Sequence, residues 1–433
     1  MRTFPLSADE VAPAQRRERL LLALAGAFVL INQVALILAR SRPALDLWPV
    51  LVWGACAAAG HSILSRRLPA RDPLLFPLAM LLAGWGLNLI ARLVPSFADR
   101  QTLWLVMGTG ALLGLTALPR DLRWLRRYRY TWLIGGLALL FLTILIGQNP
   151  ADTGPRLWLW LGVGRIYYQP SELLKILLVV FLASYLAEHQ RYMRQDTVRV
   201  GPWQVPSLAF LGPVLLMWSI CVVVLIWQRD LGTATLFFAV FLAMLYLASG
   251  QGLLLAGGSL LMIAAAALGY HLFDVVALRV KVWWNPWPTA DAQAYQVVQS
   301  LIAVASGGIL GQGIGQGQPG IIPVVHSDFA FAAIAEEWGL VGTLSVIAAL
   351  ATLVIRGMRI AALASHPFRT LLAAGLSVLL GVQSLLIMGG VLKIVPLTGV
   401  TLPFVSYGGS SLLTSFVIVG LLLILSERSA PTP

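Results

Sequence analysis

Apolar runs of about 20 residues recur along almost the whole chain, separated by short polar segments. A bilayer core about 30 Å thick needs a helix of about that length, so the pattern predicts transmembrane helices. Twelve candidates begin near Leu20, Leu47, Pro73, Thr102, Thr131, Pro170, Pro206, Gly232, Gly252, Phe329, Arg369 and Pro403. The first follows Arg16, Arg17 and Arg19. It is too long for a signal-peptide core and no small-residue cleavage pattern follows it, so it reads as a retained helix. With the N-terminus inside and strict alternation, the inside segments carry nearly twice as many Lys and Arg as the outside ones. That excess puts both termini in the cytoplasm. Arg40 and Arg42 run against it.

Two outside segments exceed a mere connection. One, from about Gln148 to Gln169, contains "TGPRLWLWLGVGRIYY", whose Trp and Tyr residues suit the membrane–water interface. The other runs from about Phe273 to Asp328, a length typical of functional loops. Within it, "AYQVVQSLIAVASGG" (294 to 308) puts Val297, Val298, Leu301, Ile302 and Ala305 on one helical face, with Gln296, Gln299, Ser300 and Ser306 elsewhere. This predicts a helix lying along the outer interface, apolar side down.

Composition agrees. The chain is 58% hydrophobic and 11% charged, with mean hydropathy +0.83. The expected class is an all-α polytopic membrane protein. The net charge of +12 is spread over loops rather than gathered in a basic domain. It therefore suits anionic membrane lipid and not nucleic acid. Cys56 and Cys221 both fall in apolar runs and offer neither a disulfide framework nor metal spacing.

In so oily a chain the scarce acids carry information. "VVHSDFAFAAIAEEWG" (324 to 339) gathers His326, Asp328, Glu336 and Glu337 at the outer start of a membrane helix. Asp328 would serve as a helix N-cap, or as a functional group, the default reading for an acid inside a membrane helix. At about 100° per residue, Glu336 projects toward the side of Asp328, where the two could share a polar cavity. Glu337 points nearly opposite, toward a neighbouring helix. "YYQPSELLKI" (167 to 176) sets Glu172 and Lys175 at i, i+3, the spacing of a helix ion pair. That pair locks two helices or touches substrate. "WQRDLGTAT" (227 to 235) reads as a tight turn with a local Arg229–Asp230 pair. "SGGILGQGIGQGQPG" (306 to 320) has no preceding strand, which excludes a dinucleotide fingerprint. A flexible loop, or backbone amides cradling a pyrophosphate, remain. "PLTGVTLPFVSYGGSSLL" (396 to 413), with Ser406 and Tyr407, is irregular at a depth where such backbone must be buried or line a watery cavity. All these segments fall at outer helix ends, which implies a polar cavity opening outward.

The blocks "GPRLWL…QPSELLK", "QRDLGTA", "AYQVVQSLIAVASGGILGQGIG", "HSDFAFAAIAEEWGLVG" and "PLTGVTLPFVSYGGSSLL" stand in this order between about Thr153 and Leu425. Together they resemble the SEDS family (shape, elongation, division and sporulation), the RodA- and FtsW-type peptidoglycan glycosyltransferases. The resemblance implies a GT-C-like helical fold with a family core of ten membrane helices. It further implies polymerisation of lipid II, a disaccharide pentapeptide on undecaprenyl pyrophosphate, at the outer face of the bacterial cytoplasmic membrane. A class B penicillin-binding protein is the partner it implies. The family's essential aspartate falls on Asp328, and its Glu and Lys on Glu172 and Lys175. Where many relatives carry Glu, Pro and Gly, this chain has Val324, Arg229 and Ala294. Five predicted helices precede the Q-P-S-E block, against three in the family, so two N-terminal helices are extra. The expected organisation is residues 1–150 as N-terminal helices and 151–433 as a SEDS-like core with an outer-face active-site cavity.

The donor sugar is α-linked and the product β-1,4-linked, so the resemblance implies a single inverting displacement. Asp328 is then the candidate base for the acceptor hydroxyl. Arg156 and Arg279 are the candidates to neutralise the departing pyrophosphate. A divalent cation, Mg or Mn, could share that role, although no closed ligand set is visible. A lipid II flippase and a non-catalytic scaffold for a crosslinking enzyme are the rival readings.

Overall fold

The computed structural model describes residues 8–40, 44–149, 156–162, 166–195, 197–200, 203–206 and 208–427. Arg42, and residues 153–155 and 163–165 of the first long outside segment, lie outside the described residues. The helices are α1 (Ala8–Arg40), α2 (Trp48–Arg67), α3 (Leu75–Leu93), α4 (Pro95–Leu115), the short α5 (Arg123–Arg127), α6 (Arg129–Ile146), α7 (Pro170–Gln195), α8 (Leu208–Trp227), α9 (Leu231–Ser249) and α10 (Gly252–Leu272). They continue with α11 (Asp274–Trp284), α12 (Tyr295–Gly307), α13 (Ala330–Leu363), α14 (Pro367–Val391) and α15 (Gly409–Ser426). Among the described residues, nine helices are long and apolar enough to cross a membrane, and the chain is a multi-pass membrane protein.

A helix stands at each of the twelve predicted positions. Prolines set several starts: Pro95, Pro170 and Pro367 open α4, α7 and α14, where a missing N–H costs nothing. α15 begins at Gly409, later than the apolar pattern suggests, because residues 392–408 stay irregular. The all-α expectation needs one correction. Two small antiparallel ribbons are present, β1 (Leu159–Trp160) with β2 (Tyr167–Tyr168), and β3 (Thr197–Val200) with β4 (Trp203–Pro206). Their aromatic and β-branched residues favour cross-strand pairing over helix.

The chain forms two compact units. The first comprises Met1–Arg120, Leu278–Arg356 and Gln383–Pro433. At its centre stands α3, 89% of whose span is buried, against 33% for α1. α1, α2, α4 and α15 pack around it. Two buried side chains bond across its helices: Asn88 Nδ2 donates to Val29 O (2.8 Å) and Trp53 Nε1 donates to Met80 O (2.9 Å). The α2–α3 loop is pinned by Arg71 on Glu18 (2.5 Å) and Asp72 on Arg356 (2.6 Å).

The second unit comprises Asp121–Ala277 and Gly357–Val382. α7 is its core helix, 89% buried along its span, with α6, α8 and α9 against it. α10 packs on α9 and is otherwise exposed, only 6% buried; an apolar helix so exposed faces lipid.

α13 is broken at Gly339, whose φ of 65° and ψ of −158° interrupt it. A Cβ there would meet Gly311 N at 2.3 Å and Ile309 O at 2.6 Å, so only glycine fits. The Gly-rich loop fills the break. Leu340 N and Val341 N donate to Gly308 O and Ile309 O, while Gln312 N and Gly313 N donate to Glu336 O and Glu337 O. The loop is thus fixed to the broken helix, and the amides of Gln312 and Gly313 are spent there rather than left for a phosphate.

Candidate active site

In the first unit, the turn before α13 (323–329) is sewn to the irregular segment before α15. Tyr407 N donates to His326 O (2.7 Å). Ser406 Oγ donates to Ser327 O (2.6 Å) and accepts from Leu402 N (3.0 Å). Within this seam the half-buried Asp328 carboxylate accepts from Ser327 Oγ (2.8 Å). Among the described residues, no backbone N–H of α13 donates to it, so the capping role is not what holds it.

Arg279 of α11 reaches the same place. Its Nη1 donates to Thr398 O (3.1 Å), and Trp283 Nε1 donates to Lys393 O (3.1 Å). Gly399, at φ 75°, keeps the space between arginine and acid clear. A Cβ there would stand 3.6 Å from both Arg279 Nη2 and Asp328 Oδ2. Burial pushes the Asp328 carboxyl above its ordinary range; the Ser327 hydrogen bond and the Arg279 charge oppose the rise. Burial holds the His326 imidazole below its ordinary value, so it is neutral at neutral pH. Val324, Lys393 and Phe404 adopt positive φ around this seam, and such strain clusters at functional sites.

The structure thus brings Asp328, His326, Arg279, Ser406 and Tyr407 together. Glu336 is engaged elsewhere. Its Oε1 accepts from Gln318 N (2.7 Å) and ties down the Gly-rich loop. Glu337 pairs with Arg92 of α3 (2.7 Å), as its opposite projection predicts. Sequence reasoning missed Phe97 and Arg100 at the start of α4. Phe97 stacks on Tyr407 with ring centres 4.6 Å apart. The aromatic Phe97 beside Pro95 was the available signal.

In the second unit, Lys175 Nζ lies 2.7 Å from Glu172 Oε2. Asp230 joins this pair: it caps α9 by accepting from Thr233 N (3.2 Å) and lies 3.4 Å from Ser171 Oγ and from Gln169 Nε2. The "QPSELLK" and "QRDLGTA" blocks therefore meet, which their sequence separation conceals. Arg229 takes the tight turn at φ 60°, but Asp230 serves the helix cap rather than a local ion pair. Burial raises the Asp230 carboxyl. Arg156 stands exposed beside the Gln148–Trp158 bridge. Among the described residues, no group of three or more His, Cys, Asp or Glu side chains is arranged to hold a metal ion.

Fold and site define a multi-pass helical membrane protein with a reachable, desolvated carboxylate at the mouth of a broken membrane helix. Residues 87–430 match the family model for FtsW, RodA and SpoVE, described as cell cycle protein. Peptidoglycan glycosyltransferase RodA of Mycobacterium leprae is 35% identical over 431 residues, 96% of this chain and 91% of that protein. A probable peptidoglycan glycosyltransferase FtsW of Geobacter sulfurreducens is 34% identical over 339 residues, 78% of this chain and 87% of that one. Among solved structures, a chain of a peptidoglycan synthase complex that coordinates polymerization and crosslinking superposes with TM-score 0.67 at 26% identity. The match covers 82% of this chain and 98% of that one. Thermus thermophilus rod shape determining protein RodA gives 0.59 at 25% identity, covering 82% and 97%. The chain belongs to the FtsW/RodA/SpoVE family, the SEDS family.

Proposed function

We propose that this protein is a peptidoglycan glycosyltransferase that polymerises lipid II into β-1,4 glycan strands at the outer face of the cytoplasmic membrane. The observation that carries the mechanism is the half-buried Asp328 carboxylate, desolvated, held by Ser327 and faced by Arg279. In this reading the acceptor's 4-hydroxyl attacks C1 of the donor sugar and gives its proton to Asp328. The bond from C1 to the pyrophosphate oxygen breaks, its electron pair leaves with the pyrophosphate, and configuration inverts. A base whose pKa lies nearer the working pH than a free carboxylate's is the better catalyst. Arg279 keeps Asp328 ionised and supplies positive charge as the leaving group departs.

Twelve membrane passes, a GT-C-like arrangement, cytoplasmic termini and a class B penicillin-binding protein partner complete the reading. So does the division into residues 1–150 and a SEDS-like core over 151–433. The presence of a helix at each of the twelve predicted positions and the Lys/Arg bias support the topology. The relatives' names and the synthase-complex neighbour support the activity and a crosslinking partner. The test is purified protein with fluorescent lipid II, with moenomycin present to silence classical glycosyltransferases. Glycan strands support the reading; lipid II crossing liposomes without strands overturns it in favour of transport.

A further inference from the structure

Next to Asp328 stands a second group of side chains that the mechanism above does not use. Phe97, near the start of α4, stacks on Tyr407, and the His326 ring meets both edge-on at 5.3 and 5.6 Å. The Arg100 guanidinium lies over the Phe97 ring, 4.3 Å from its centre. All four residues are half-exposed, so the platform is reachable. It is also rigidly joined to the base. Tyr407 N donates to His326 O (2.7 Å), and beside them the Ser406 hydroxyl donates to Ser327 O (2.6 Å).

Arg100 is the informative member. Among the described residues it has no acidic partner and no hydrogen bond; its one contact is the Phe97 ring. Its charge also acts on the Tyr407 hydroxyl, opposing the upward push of burial. The other functional arginine of this unit, Arg279, is held by Thr398 O. Stacking on an aromatic ring orients a guanidinium while leaving its in-plane N–H donors for a ligand, and that fork matches phosphate oxygens. The base beside it acts, in the reading above, on a sugar hydroxyl. The ligand such a site fits is a sugar joined to a phosphate.

We infer that Arg100, oriented by the Phe97–Tyr407 stack, binds the pyrophosphate of a polyprenyl-pyrophosphate-linked sugar beside Asp328. This rests on the glycosyltransferase reading and adds a positioning residue to it. Arg100 acts on substrate binding, whereas Asp328 acts on the chemical step.

The experiment uses the full chain in detergent with three probes: undecaprenyl pyrophosphate, undecaprenol and phosphatidylglycerol. The wild type should prefer the pyrophosphate over the alcohol. Arg100→Gln should lose about tenfold or more of that preference, the loss of one charge-assisted contact, with undecaprenol binding unchanged. Arg100→Lys should recover part of it, keeping the charge without the fork. With lipid II, Arg100→Gln should raise KM by a similar factor while kcat changes little, and its melting temperature should stay at the parental value. Phe97→Leu, which keeps the apolar volume but not the ring face, should weaken binding in the same direction. An Arg100→Gln protein with the parental preference overturns the inference. So does phosphatidylglycerol competing as well as the pyrophosphate, since the site would then be a generic anion contact. A wild type that binds the pyrophosphate through Arg100 yet builds no strands supports the site while removing the polymerase reading, so the two failures are distinct.

Discussion

Asp328→Asn separates chemistry from architecture at the proposed base. Asn keeps the shape, and its carbonyl can still accept from Ser327 Oγ, now at 2.8 Å from the carboxylate. What the fold loses is a screened attraction to Arg279, about 0–1 kcal/mol for a partly exposed pair. Linkage works in the other direction. Burial raises the folded-state pKa of Asp328 above its unfolded value. Its contribution to stability is therefore present below the unfolded pKa and is lost as pH rises through the folded pKa. Asn carries neither the charge nor that pH dependence, so stability should stay within about 1 kcal/mol of parental. Catalysis should respond differently. A positioned general base contributes about 10²–10⁴-fold, or about 2.7–5.4 kcal/mol at 1.36 kcal/mol per decade. The assay is single-turnover polymerisation of fluorescent lipid II across pH, beside thermal unfolding of the same preparations. The wild-type rate should fall as pH drops through a pKa above the usual carboxylate range, and the residual rate of the Asn variant should lack that limb. Parental strand synthesis by Asp328→Asn, or an unchanged acid limb, would refute the base assignment.

Three further outcomes are expected. Glu172→Gln and Lys175→Met should each destabilise the second unit by about 3–5 kcal/mol, because each strands a buried charge. The double variant should lose much less than the sum, and strict additivity in a thermal double-mutant cycle would exclude the pairing. Arg92→Leu should cost about 3–5 kcal/mol by leaving Glu337, whose side chain is fully buried, without its ion partner; Arg92→Leu with Glu337→Leu should recover most of it, and an equal loss in the double variant would contradict this. On α12, Ile302 is 49% exposed and Val298 only 4%. Ile302→Asp should therefore impair use of lipid II in membranes with the fold intact, while Val298→Asp should unfold the protein; parental kinetics for Ile302→Asp would remove a role for the exposed side of α12 in substrate use.

That last pair marks where sequence periodicity misassigned a face. The apolar stripe of α12 grouped Val298 with Ile302 and set Ser300 aside. In the structure Ser300, Ala303 and Gly307 are buried and Ile302 and Ala305 are exposed. Gly307 decides the matter, since a Cβ there would sit 1.9 Å from Ala335 O. α12 thus presents Gly307 to the backbone of α13, and Ile302 turns outward while Val297 and Val298 stay buried. In a membrane the outside is also apolar, so hydrophobicity ceases to distinguish the two faces and residue size takes over. The same physics made the membrane helices easy to read: length and apolar content suffice for existence, and prolines at Pro95, Pro170 and Pro367 mark starts. The Glu172–Lys175 pair was legible because it is local. Asp230 beside that pair, Arg279 above Gly399, and Phe97 stacked on Tyr407 are contacts between distant segments, and no local pattern announces them.

The acids clustered in 324–339 have three separate roles, and all three act on the half of α13 that precedes the break at Gly339. From Phe329 to Glu337 every residue is buried, so the first half of α13 is an apolar peg that must be fixed at both ends. At its deep end Glu336 holds Gln318 N, Glu337 holds Arg92, and Trp338 Nε1 donates to Asn32 Oδ1 (3.0 Å). Those bonds tie the peg to the Gly-rich loop, to α3 and to α1. At its outer end the seam of Ser327 with Ser406 and His326 with Tyr407 does the same. Asp328 sits between a clamped helix and a clamped turn, with its own carboxylate engaged by one hydroxyl and faced by Arg279. A base that must meet a sugar hydroxyl within a few tenths of an ångström needs such a mount. The two glutamates lie too deep to touch an outer-face substrate in this reading. They supply the rigidity that lets the one acid at the surface act.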